Sequence, residues 1–307
     1  MPRLSAVSLP ILAGAATLSA TLAAAAPARA AAIDLFYERT VMSAADARCN
    51  LFTPTLGSAL NAARAQARGA ALRSGVESNA LAAAEQRAVT KARAVDCRSP
   101  DMTTAAGRVR TAFDGFQRLT VMTYPGDIAA WKAERSLARY NAVWSLSQTT
   151  SFGWDKANVG VVSGENALAA VATFADGAQP YAARLMLRDT RRAPAPYLDR
   201  RLADASGRLP LAARLPPASA MRAISADQKD AAPETLLPDA GRKGAAKTGV
   251  AFRFPPTAIT ALAGLDPREA VAVDFVFTGR KGDVVRRAYI EVGDFAAGAA
   301  FVQTAAR

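Results

Sequence analysis

The sequence predicts an α+β fold: an N-terminal disulfide-stapled helical bundle followed by an antiparallel β-sandwich or partial barrel with peripheral helices. Three observations in the 307-residue chain lead there. Residues 34–120 are rich in Ala and repeat apolar residues at helical spacing. From Ala142 the period changes to alternation broken by Gly, Asp and Asn. The two cysteines, Cys49 and Cys97, flank one helical hairpin.

In chain order, residues 1–30 read as an export leader. Arg3 supplies the positive start, "LPILAGAATLSATLAAAA" the apolar run, and Ala28-Arg29-Ala30 the small-x-small cleavage pattern. No Cys follows the run, so no lipid-attachment site is expected. No later stretch reaches the roughly 18 uninterrupted apolar residues of a spanning helix, so no transmembrane anchor is expected in the mature chain. The predicted location is periplasmic or secreted. The Ala- and Arg-rich composition is typical of GC-rich bacterial genomes, and the net charge of +12 suits an anionic envelope component or another envelope protein as partner. Nucleic acid is not expected, because no element interleaves basic and aromatic residues.

The helical domain is placed at residues 31–140. Thr53 caps a helix with Pro54 in its first turn, and Leu56, Leu60, Ala63, Ala67 and Ala71 share one face up to a stop at Gly75. A second helix runs from about Asn79 to Cys97 with Leu81, Ala84, Ala88 and Ala92 on one side. A third follows Ser99-Pro100-Asp101 and carries Val109, Ala112, Phe113 and Phe116. Short connections make these an up-down bundle. Folding the hairpin at Gly75 returns Cys97 to Cys49, and an even cysteine count in an exported chain predicts a disulfide between them. Two Cys without His cannot complete a zinc site, and a nucleophilic Cys would lack its usual base, so no metal and no cofactor are expected.

All three tryptophans fall in a short central stretch, Trp131, Trp144 and Trp154, with Tyr124, Tyr140 and Phe152 nearby. "YPGDIAAWKAERSLARY" reads as a turn at Pro125-Gly126 followed by a short helix capped by Asp127. Two readings stay open. Trp131, Tyr140, Trp144 and Trp154 form a platform for sugar rings, or the aromatics pack the junction between the two halves; ring burial favours the junction.

The β-rich domain is placed at residues 141–307. "AVWSLSQTTSFGW", "ANVGVVSG", "ALAAVATFADG" and "YAARLMLRD" read as strands, with "ADGAQPY" as a hairpin loop, in a structure of about seven strands. Val271, Val273, Phe275 and Phe277 alternate along one strand, "TGRKGD" turns it, and Val284, Arg286, Ala288 and Ile290 alternate back. Asp294 is expected to cap a final helix whose Phe295 and Phe301 cover the sheet. A Pro- and Arg-rich insertion interrupts the domain at about 190–247, with one helix expected around "SAMRAISADQ". Its Arg191, Arg192, Arg200 and Arg201 are either an anion-docking arm or a solvated loop. "GRKGAAKTG" departs from a phosphate loop, since Ala246 stands where the glycine before Lys247 is needed and a strand follows.

The tail from "AFRFPPTAITAL" through "VAVDFVF" and "AYIEVGDFAAGAAF" resembles the end of exported proteins of the invasion-associated locus B type. Those run from a Phe-Pro step through a short helix and a hairpin into a Gly-x-Phe step before a last helix. The resemblance is confined to residues from Ala251 on; it implies an extracytoplasmic β-domain and assigns no catalytic residue.

With no histidine in the chain, Ser-His-Asp and Cys-His hydrolysis and His-ligated zinc chemistry are excluded. The leading expectation is a non-enzymatic, exported envelope protein that binds an anionic or macromolecular partner. The alternative is a carboxylate-dependent hydrolase acting on an envelope glycan, with Glu134, Asp155 and Glu165 as the acids near the aromatics. A purely structural protein is the third reading.

Overall fold

The computed structural model describes residues 25–135, 141–205 and 208–303. Four helices come first: α1 (Ala25–Cys49), α2 (Pro54–Arg73), α3 (Ser78–Ala94) and α4 (Pro100–Phe113). The expected leader lies outside the described residues up to position 24, and its last residues begin α1. No described helix is long and apolar enough to cross a membrane.

Thr53 caps α2 by accepting the Leu56 N–H, with Pro54 at the first helical position. The stop at Gly75 is a Schellman motif. Gly75, at φ +87°, donates to Leu72 and Val76 donates to Ala71. Ser99 caps α4 in the same way, on the Met102 N–H. α1 packs on both α2 and α3, largely through small residues such as Ala45, Ala71, Ala84, Ala88 and Ala92, all buried. The C-terminal end of α1 meets that of α3, where Cys49 and Cys97 form the expected disulfide, with a Cα separation of 5.6 Å. Arg48 donates to the carbonyls of Arg93 and Val95 beside it.

Eleven strands follow among the described residues. They are β1 (Val121–Pro125), β2 (Ala130–Glu134), β3 (Trp144–Phe152), β4 (Asp155–Val162), β5 (Leu168–Thr173), β6 (Ala182–Arg188), β7 (Met221–Ser225), β8 (Gln228–Ala231) and β9 (Val250–Phe254), then β10 (Ala270–Gly279) and β11 (Gly282–Glu291). The short helix α5 (Thr257–Ala263) joins β9 to β10, and α6 (Phe295–Gln303) ends the described chain. One sheet has the order β1-β2-β3-β4-β5-β9-β8 and the other β11-β10-β6-β7, with antiparallel pairing throughout.

The two sheets join at both sides. At one side the chain passes straight from β7 to β8, and Ala226 donates to Ala183 while Asp227 donates to Arg253, so one bent strand changes sheets. At the other side the Gln148 amide of β3 mimics a strand. Its Oε1 accepts the Glu291 N–H (2.8 Å) and its Nε2 donates to the Glu291 carbonyl (3.1 Å). The result is a partial barrel filled by residues of both sheets, including Leu146, Val159, Leu185, Phe252 and Phe275. Phe295 and Phe301 of α6 are fully buried over it. Gln148→Leu strands a buried N–H and should cost about 1–3 kcal/mol, measured as a lower urea midpoint at constant slope.

Several expectations change. Residues 121–134, assigned to the helical half, are β1 and β2, so the sheet starts well ahead of the boundary at 140. The segment after Pro125-Gly126 is a strand because Trp131 and Ala133 alternate into the core while Lys132 stays exposed. "ADGAQPY" is no hairpin loop; it carries the chain from β5 in one sheet to β6 in the other. The helix expected around "SAMRAISADQ" is the β7–β8 strand, which gives the 190–247 insertion a firm place in the barrel. Asp294 does not cap α6 with its carboxylate, which turns to Arg73 of α2 instead.

Candidate functional site

The densest polar constellation surrounds Glu291, at the end of β11 and fully buried. Its carboxylate accepts the N–H groups of Asp127 (2.7 Å), Ile128 (2.8 Å) and Ala129 (2.7 Å) from the β1–β2 turn. Arg214, from the insertion, adds a charge-assisted bond at 3.0 Å and also reaches Asp127 at 2.9 Å. Gly126 makes the approach possible, because a Cβ there would lie 2.5 Å from Glu291 Oε2. Trp131 Nε1 donates to the Glu291 and Val292 carbonyls. A few residues on, Asp294 takes Arg73 in a two-pronged pair at 2.6 and 2.8 Å, which ties α2 to the barrel. Burial holds the Asp294 carboxyl above its ordinary pKa, against the opposing pull of Arg73.

The same pattern repeats across the molecule. Asp155, Asp189, Asp266, Glu269, Asp274, Glu291 and Asp294 are the buried carboxylates among the described residues, and every one is bonded to arginine. Glu269 is gripped by Arg188, which also donates to the Ala193 and Pro194 carbonyls and so pins the start of the insertion. A carboxylate held this way already spends its acceptor oxygens on arginine and is not free to attack a substrate. Of the acids named for the hydrolase reading, Asp155 is held by Arg286, Glu165 is clasped by Arg253, and Glu134 ends β2 in solvent.

The aromatic platform is not assembled. Trp131 is buried and packs edge-on against Phe295, with centroids 4.9 Å apart. Trp144 is half-buried and donates to the Leu236 carbonyl. Trp154 is 93% exposed on the β3–β4 turn. Tyr140 lies outside the described residues. Trp131 thus packs within the barrel half and not at the junction, whereas Arg135 sits over both Phe116 (4.5 Å) and Phe301 (3.7 Å) and so links the end of the helices to α6. In the expected docking arm, Arg191 and Arg192 share Asp189, and Arg201 is paired with Asp199. The side chain of Arg200 lies outside the described residues.

A concave site that the sequence did not announce lies in the helical half. α1 and α4 form the walls of a groove of about 640 Å³, within the range of small-molecule sites. Met42, Leu60, Val109 and Phe113 give it an apolar floor. Arg39, Lys91 and Arg108 stand on its margin against one acid, Glu38. Arg39 is half-buried, donates to the Ala63 carbonyl at 2.6 Å, and forms no ion pair among the described residues. Loss of hydration lowers its pKa from the ordinary value, with Glu38 opposing. By contrast, the buried or half-buried Arg73, Arg188, Arg214, Arg253 and Arg268 each meet a carboxylate. The groove escaped sequence reading because it needs the placement of α1, for which no face had been assigned.

No family model matches the chain, and no curated protein or solved structure matches it.

Proposed function

We propose that the chain is an exported, non-enzymatic protein of the bacterial envelope that binds an anionic partner, and that the groove between α1 and α4 is its binding site. The observation that carries this is the apolar floor combined with a half-buried Arg39 at the margin that forms no ion pair among the described residues. That combination suits an amphiphile with an apolar chain and an anionic head, such as a long-chain carboxylate. The leader pattern and the disulfide support an extracytoplasmic setting, in line with the resemblance of the tail to exported proteins. Hydrolysis by paired carboxylates is the weaker reading, because the buried acids are already engaged by arginine.

The test is titration of the purified protein with a fluorescent long-chain fatty acid. Saturable binding is expected. Arg39→Gln should weaken it about tenfold by removing one charge-assisted hydrogen bond. Val109→Trp, which fills the groove, should abolish it, with the melting temperature of both variants kept near that of the parent. Absence of saturable binding to this probe and to extracted envelope lipids would end the proposal.

A further inference from the structure

At one end of the barrel, three connections meet, none of which lines the groove. The β3–β4 turn carries Trp154, the β5–β6 connection carries Tyr181, and the β10–β11 ribbon carries Val284 and Val285. Arg286 holds them together, bonding Asp155 beside Trp154 at 3.1 Å and Asp176 before Tyr181 at 3.0 Å. Tyr181 donates its N–H to the Val276 carbonyl of the ribbon.

The apolar residues at this end are not required by the fold. Gly153, at φ +67°, satisfies the two-residue turn, whose second position accepts a polar residue equally well. Yet that position holds a tryptophan almost fully in water. The last β6 partner on β10 is Val276, so the ribbon projects beyond the sheet, with Val284 51% and Val285 47% exposed. Its tip is Arg280-Lys281, and neither forms an ion pair among the described residues. Of the nearby acids, Asp155 and Asp176 are occupied by Arg286, and Asp283 is outnumbered at the tip by Arg280 and Lys281.

We propose that this end of the barrel is a docking surface for an anionic phospholipid bilayer. Trp154 and Tyr181 enter the headgroup layer, Val284 and Val285 follow them, and Arg280 and Lys281 contact lipid phosphates. Tryptophan and tyrosine partition to this layer because one part of the ring system is apolar and another is polar. Basic residues beside them add attraction that only a negatively charged surface returns. A neutral sugar surface would use the ring but not the two cations. A protein partner would also need a larger area than these few residues supply.

The experiment is co-sedimentation of the full mature chain with phosphatidylglycerol-containing vesicles and with pure phosphatidylcholine vesicles, at low and high salt. Binding is expected to the anionic vesicles alone and to weaken with salt. It should shift Trp154 emission to the blue, read as the difference between the parent and Trp154→Phe. Trp154→Ser should weaken binding about tenfold, and Arg280→Ser with Lys281→Ser should remove the preference for anionic lipid. Val109→Trp, which tests the groove, should leave vesicle binding unchanged. Full retention of binding by Trp154→Ser, or no binding of the parent to anionic vesicles, overturns the proposal. Protection of Trp154 by soluble glycan in place of vesicles overturns it in favour of a sugar partner. Because Trp154 is almost wholly in solvent, the variants should melt with the parent, and failure to fold is not an escape.

Discussion

Glu291→Ala should cost the protein about 3–5 kcal/mol of folding stability, the range for breaking a buried ion pair by removing one partner. Arg214 is itself buried and would keep only Asp127 as a counter-charge, together with the Leu209 and Arg268 carbonyls. The N–H groups of Asp127, Ile128 and Ala129 would lose their common acceptor inside the barrel wall. Such orphaned donors add to the penalty, since no buried group nearby is free to replace the carboxylate. Glu291→Gln keeps the shape and one acceptor oxygen, so its loss should be smaller. Pairing Glu291→Gln with Arg214→Met should recover part of that loss, because the uncompensated charge leaves with the arginine. Urea unfolding of the three variants measures this. A Glu291→Ala protein within about 1 kcal/mol of the parent would show that the latch does not hold the barrel.

How much of this was readable in the sequence depends on how far each contact reaches along the chain. The α2–α3 turn was legible because Gly75 and its neighbours write the Schellman motif locally. The β10–β11 hairpin was legible because its alternation and its turn are contiguous. The nature of β2 was not. Pro125-Gly126-Asp127 looks like a helix start because a helix start also needs an acid to receive its first N–H groups. Here the acid is Glu291, which no local pattern connects to that turn. Glu291 in turn looks like the solvent-facing partner of Ile290, and it is buried only because the β1–β2 turn and Arg214 cover that face. Composition alone could not separate Trp131 from Trp154. One sits on an inward strand position and the other on a two-residue turn, a difference decided by register.

Removing the disulfide should be the other large loss. Cys49→Ser with Cys97→Ser releases a loop spanning 48 residues, and the chain-entropy relation puts its closure at about 4 kcal/mol. The helical half has little with which to offset that. Its contacts between α1, α2 and α3 are made mostly by alanine, which brings backbones close but buries little apolar area for each residue ordered. Larger side chains such as Phe36, Leu72 and Leu81 cluster in one packing group, and Met42, Leu60 and Met102 in another. The staple joins the C-terminal ends of α1 and α3 at the second group, next to the groove floor. Its loss should therefore free the end of α1 while the barrel, held by its own core and by Arg73–Asp294, stays folded. In urea the double variant should show an early transition in hydrogen exchange over α1 and α3, followed by a barrel transition close to that of the parent. Fatty-acid binding should vanish at the first of the two. A single transition, shifted as a whole, would instead mean that α2 on α6 couples the halves more tightly than the staple couples the helices.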